Sequence, residues 1–184
     1  GCSSSRGTKA VSLNSLFNRP GLYEIEFGIP LRNILEEIGG GLKTGAFKAV
    51  IVGGPLVGIV HPREFDTFFG FEEMRAIGAA IGHGGVVAFD HNTWMGELLA
   101  YVTEFAARES CGKCTPCRLG SRRALAMFEQ VSMGHRLSNE EAAELRDILD
   151  ALRRTSLCGH GTGIAAFTTS IFLKFGEELE PWFG

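Results

Sequence analysis

The sequence predicts an α+β protein in which a small unit of strands and one helix precedes a helical bundle. Three observations carry this. Apolar and polar residues alternate at period two in the first third of the chain, helical spacing dominates from Phe68 onward, and a tight group of cysteines lies inside the helical part. The expected divisions are a short N-terminal segment at 1–8, the strand-rich unit at 9–67 and the helical unit at 68–184. The 184 residues suffice for one medium or two small domains, and 45% hydrophobic with 21% charged residues is ordinary for a globular chain. A net charge of −3 leaves no basic footprint for nucleic acid. No run of eighteen apolar residues occurs, so no membrane span is expected.

The start, Gly1 to Gly7, has neither an initiator methionine nor a hydrophobic lead, which suggests a processed chain or a fragment of something longer. Cys2 reads as a bystander thiol on a mobile end. Ala10 to Leu16 and Leu22 to Phe27 alternate, and Asn18-Arg-Pro-Gly21 between them is a turn, so the pair predicts a hairpin. Pro30 opens a helix with Leu31, Ile34, Leu35 and Ile38 on one face, ended by Gly39-Gly-Gly41. Ala49 to Val52 and Leu56 to Val60 supply further strands. Two strands, a helix and more strands make a β-grasp-like order. Gly39-Gly-Gly-Leu-Lys-Thr44 is not a phosphate loop, because Leu42 stands where that motif needs glycine and a helix precedes it. Gly82-His-Gly-Gly85 lacks the third glycine of a dinucleotide fingerprint and precedes a strand, Val86 to Asp90.

In the helical part, Glu72 to about Ile81 reads as one short helix. Trp94, Leu98, Tyr101, Val102 and Phe105 mark a second, and Cys117, Gly120, Ala124, Met127, Phe128 and Val131 a third. Ser138-Asn-Glu-Glu141 is a capping box that starts a helix striped by Leu145, Ile148, Leu149 and Leu152. Ile164, Phe167, Ile171, Phe172, Phe175 and Leu179 mark the last helix, stopped before Pro181.

The cysteines carry the chemistry. Cys111, Cys114 and Cys117 form a crescent at two-residue spacing within Glu109-Ser-Cys-Gly-Lys-Cys-Thr-Pro-Cys-Arg118, and Cys158 follows much later in a glycine-rich segment. Three close sulfurs and one distant one suit the corners of an iron–sulfur cubane. Zinc also takes four thiolates, but its common sites draw two pairs from separate knuckles; a structural zinc module is the alternative, and buried structural thiols a third reading. Five cysteines, three of them within one turn, disfavour a disulfide framework. Thr115-Pro116 reads as an N-cap and first helical residue, which places Cys117 in a first turn where free N–H groups favour anionic sulfur. Lys113 and Arg118 add positive charge, Gly112 allows close backbone approach, and Arg122 and Arg123 read equally as a solvated helix face. His160, two residues after Cys158, is an alternative ligand in place of a cysteine, and is favoured as lying beside the ligands or at the surface. With no open coordination position, electron relay is favoured over catalysis. A thiol metal motif without a signal peptide points to a reducing, cytoplasmic setting.

This ten-residue run with its late fourth cysteine resembles the C-terminal part of the flavoprotein subunit of NADH:quinone oxidoreductase, a subunit type shared by the diaphorase of NAD-reducing hydrogenases and the beta subunit of NAD-linked formate dehydrogenases. The resemblance implies that Cys111, Cys114, Cys117 and Cys158 hold one [4Fe-4S] cluster that takes electrons from a flavin and passes them on, with Gly112, Lys113, Thr115, Arg118 and Gly159 around it. It implies a subunit or segment of a multi-subunit NAD(H)-dependent oxidoreductase, not catalytic alone, with FMN and NAD(H) on a domain or chain absent from this sequence. The implied partners are that flavin- and NADH-binding part, a thioredoxin-like [2Fe-2S] subunit and a further iron–sulfur subunit. The strand-rich unit resembles the family's SLBB domain. Small-ligand binding is the alternative role for it, but no cluster of polar residues names a ligand, so a packing and spacing role is favoured.

Overall fold

A computed structural model describes residues 1–183, and the chain forms two compact units that meet in sequence between Thr93 and Trp94. The first holds a five-stranded sheet in the order β2-β1-β5-β3-β4. Strand β1 (Thr8–Leu13) pairs antiparallel with β2 (Gly21–Glu26), as the alternation predicts, with Val11, Leu13 and Ile25 facing the core. Strand β3 (Phe47–Val52) is apolar through its last four residues and buried there, as suits an inner strand. It pairs antiparallel with the two-residue β4 (Ile59–Val60) and with β5 (Gly85–Asp90). The centre of the sheet is the parallel pair β1 and β5. This is the β-grasp-like arrangement expected from the order of elements, with one difference. The expected boundary at 67/68 assigned the last strand to the helical part, whereas residues 68–93 belong to the first unit because β5 joins β1 to β3 there.

The helix predicted after Pro30 is a π-helical turn, Asn33–Ile38, that buries Ile34 and Leu35. Its glycine end is closed by Asn18 and Arg19. The Asn18 side-chain amide donates to the carbonyls of Gly40 and Leu42, and Arg19 Nε donates to that of Ile38. The segment is thus a helix-ending loop, as its sequence indicates. The helix expected from Glu72 to about Ile81 is shorter, α1 (Phe71–Ala76).

The second unit contains α2 (Met95–Arg108), α3 (Ser121–Ser132), α4 (Asn139–Thr155) and α5 (Gly159–Leu179). Leu98, Leu99, Val102, Ala124, Met127, Phe128, Val131, Leu145, Leu152, Ile164, Phe167 and Ile171 fill its core. Two residues of the expected α2 stripe do not join them, since Tyr101 is 72% and Phe105 43% exposed. Among the described residues no helix is long and apolar enough to cross a membrane.

Candidate metal centre

The site lies where α2 ends, α3 is about to begin and α5 starts. After Arg108 the chain leaves the helix and turns at Gly112, whose φ of 74° is costly for any residue with a Cβ. Arg118 Nη1 donates to the Gly112 carbonyl at 2.8 Å and clamps this turn onto the following segment. That segment, Pro116–Gly120, is a π-helical turn running straight into α3. Such local departures from regular helix concentrate at functional sites. The buried Ser121 hydroxyl donates to the Cys117 carbonyl at 2.6 Å and fixes the turn from below.

The fourth cysteine arrives from the other side. Cys158 is the N-cap of α5, with extended backbone. Two contacts bring its segment to the crescent. The Leu157 backbone N–H is the leading cause holding the Cys114 thiol below its ordinary value, helped by the N–H groups of Cys117 and Cys114 itself. His160 Nε2 bonds to the Ala106 carbonyl at 2.8 Å; because a carbonyl only accepts, Nε2 carries the proton, which ties the first turn of α5 to the last turns of α2.

Burial is the main effect on Cys117, pushing its thiol up; the charges of Cys114, Cys158 and Cys111 push in the same direction, while a hydrogen bond from Ser110 opposes them. The sulfurs of Cys114, Cys158 and Cys111 therefore all lie within electrostatic reach of Cys117. Four thiolates so placed repel unless a cationic centre joins them, and the structure fits such a group in two further ways. The Ser156 hydroxyl oxygen is buried without a hydrogen-bond partner. Such a group ordinarily costs about 1–3 kcal/mol. Second, a Cβ on Gly161 would press into the Ser156 side chain and come within 3.3 Å of Cys117 Cβ, so the first turn of α5 has to be bare. No group of three or more His, Cys, Asp or Glu among the described residues closes on a single metal ion. A cubane makes no such demand, because its four sulfurs go to four separate irons.

Exposure divides the set: Cys117 is 5% exposed, Cys114 half-buried, and Cys111 and Cys158 lie at the surface. Cys2 lies in the first unit, with its thiol beside Glu73. Several expectations for the surroundings change. Thr115 is already helical and makes no side-chain cap, so it does not start the turn as an N-cap would. Donors at the helix start reach Cys114, while Cys117 sits deeper and loses solvation. Lys113 is exposed, and Gly159 has nothing within 4 Å of the Cβ position it lacks. Arg123 pairs with Glu144 through two bonds of 2.7 and 2.6 Å. Ser110, Ser156 and Gly161 were not identified from the sequence as parts of the site, and His160, read as a neighbour of the ligands, was not expected to bond to the end of α2. Only the position of Ser110 inside the motif and the repeated glycines after Cys158 hinted at them.

Residues 97–181 match the family described as the NADH-ubiquinone oxidoreductase-F iron–sulfur binding region. The chain is 33% identical over 181 residues to the NADP-reducing hydrogenase subunit HndC of Solidesulfovibrio fructosivorans, covering 98% of this chain and 37% of that one. It is 34% identical over 176 residues to the F 2 subunit of NADH-quinone oxidoreductase of Rhizobium meliloti (strain 1021), covering 95% and 42%. The chain thus spans about two fifths of the length of these relatives. Among solved structures, an NAD+-reducing [NiFe]-hydrogenase in the H2-reduced state superimposes with a TM-score of 0.87 at 27% identity, over all of this chain and 30% of that one. The resemblance seen in the cysteine motif holds along the chain, and the family match supports a [4Fe-4S] cluster as the group bound.

Proposed function

We propose that Cys111, Cys114, Cys117 and Cys158 hold one [4Fe-4S] cluster and that the chain serves as an electron relay within an NAD(H)-linked oxidoreductase assembly. The observation that carries this is the convergence of four thiols from two segments, with the charges of the other three acting on Cys117. When bound, the cluster supplies one-electron uptake and release. The chain holds it in place. Arg118 keeps the crescent loop closed, Ser121 fixes the Cys117 carbonyl, the Leu157 N–H turns toward the Cys114 sulfur, and His160 anchors the segment bearing Cys158. All four cysteines are occupied in this arrangement, which favours relay over substrate chemistry.

In this reading FMN and NAD(H) bind a domain or chain outside the present sequence, and electrons leave toward a thioredoxin-like [2Fe-2S] subunit and a further iron–sulfur subunit. Quinone-, hydrogenase- and formate-dehydrogenase-linked assemblies all suit it. The setting is cytoplasmic, at the periphery of a membrane complex in the quinone-linked case. Single serine substitutions test the proposal. Each of the four cysteines should be needed for full iron content and for the cluster's EPR signal, and Cys2→Ser should keep both. In the assembled complex, Cys158→Ser should retain NADH oxidation by a small artificial acceptor that meets the flavin directly, and lose transfer to the natural acceptor. Full iron in Cys158→Ser together with loss in Cys2→Ser would refute the ligand set. A colourless zinc protein, or undiminished natural transfer without the cluster, would refute the relay.

A further inference from the structure

Resting on that ligand assignment, we propose that Ser110 and Ser156 are hydrogen-bond donors to the cluster at its Cys117 corner and set its reduction potential above what the four thiolates alone would give. Cys117 is the one buried cysteine of the four, and hydrogen bonds act most strongly where water is excluded. Ser110 Oγ lies 3.3 Å from Cys117 Sγ. A sulfur bound to iron has no proton to give, so the hydroxyl is the donor. The Gly112 N–H, 3.4 Å away, donates to the same Ser110 oxygen and occupies a lone pair, which leaves the hydroxyl proton for the sulfur.

Ser156 approaches from the opposite segment. Its oxygen is buried, has no partner among the described residues, and lies over the bare Gly161 in the space that also borders Cys117 Cβ. The acceptors that ligand binding adds to this space are the sulfurs of the cluster and of Cys117. Donors at sulfur stabilise the more negative, reduced state and so raise the potential.

The test uses the iron-loaded protein with Ser110→Ala, Ser156→Ala and the double substitution, assayed first for iron and then by redox-titrated EPR. The expected result is retained iron and, at a fixed applied potential, about a three- to tenfold lower ratio of reduced to oxidised cluster for each change; tenfold is about 59 mV for a one-electron couple. Ser110→Thr and Ser156→Thr, which keep the hydroxyl, should restore the ratio. Unchanged midpoints in iron-loaded alanine variants overturn the proposal and leave the ligand assignment standing, whereas an unsubstituted protein that binds no iron overturns the assignment itself. If alanine costs the cluster, the unsubstituted protein decides. Pulsed EPR of its reduced form after brief transfer to D2O should lose proton couplings that exchange rapidly, as hydroxyls do and buried amides do not. Absence of such couplings overturns the proposal.

Discussion

At Cys114 and Cys117 one short motif produces opposite electrostatic results. Cys114 faces three backbone N–H groups and is held below the ordinary thiol range, while Cys117, three residues on, is pushed above it by burial. The spacing of the cysteines was readable because it is the one that thiolate ligation of an iron–sulfur cluster uses. Which sulfur would meet the helix-start donors was not, since that depends on how deeply each residue of a π-helical turn sinks. The same holds for Ser156, whose role comes from burial beside a glycine on another helix. Arg118 combines two effects, a cation near the site and a clamp on the Gly112 carbonyl. Arg118→Gln should therefore lower the cluster potential and loosen iron retention, whereas Lys113→Gln at an exposed position should lower the potential alone and by less. Unit charges near water are worth only about 1 kcal/mol at 4 Å, so both shifts should be modest. Redox-titrated EPR with iron analysis checks this, and a rise in potential in either variant contradicts it.

The elements most legible in the sequence were those with local signals. The capping box at Ser138 and Glu141 forms as read, with the Glu141 N–H donating to Ser138 Oγ at 3.2 Å and the Ser138 N–H donating to Glu141 Oε2 at 2.9 Å. Ser138→Ala should destabilise the protein by about 1 kcal/mol, read as a lower melting temperature. The bonds from the Ser138 backbone and side chain hold the Glu141 carboxyl below its ordinary value of 4.5. A depressed carboxyl contributes stability above its unfolded pKa and loses it as pH falls through the folded one. The difference between Ser138→Ala and the unsubstituted protein should therefore shrink on acidification below about 4.5. Equal differences at pH 7 and pH 3 would contradict that linkage. Elements without local signals were read less well. The apolar run at β5 identified a strand but not its partners, because β1 lies some seventy residues earlier. Tyr101 and Phe105 fit a helical stripe by spacing, yet remain partly or largely exposed.

At the scale of the whole molecule, the two-part organisation was visible as a change from period two to period 3.6, although the change in local pattern at Phe68 precedes the division in the structure at Thr93. Residues 68–93 look transitional in sequence because they contain one short helix and one strand, and only long-range pairing shows that the strand completes a sheet. The late position of Cys158 has a consequence beyond redox chemistry. On the proposed ligand set, a cluster bonded to the crescent and to Cys158 would cross-link the chain from Cys117 to Cys158, enclosing the rest of the π-helical turn, α3 and α4 in a closed loop. A covalent closure of this size restricts the unfolded chain by on the order of 4 kcal/mol, as a disulfide would. Iron-loaded protein should therefore need more denaturant to unfold than iron-stripped protein, measured as the midpoint in urea under anaerobic conditions, and equal midpoints would exclude the effect. Oxidative loss of the cluster would then remove a staple as well as a carrier, so that damage to the inorganic group would leave the polypeptide open to proteolysis.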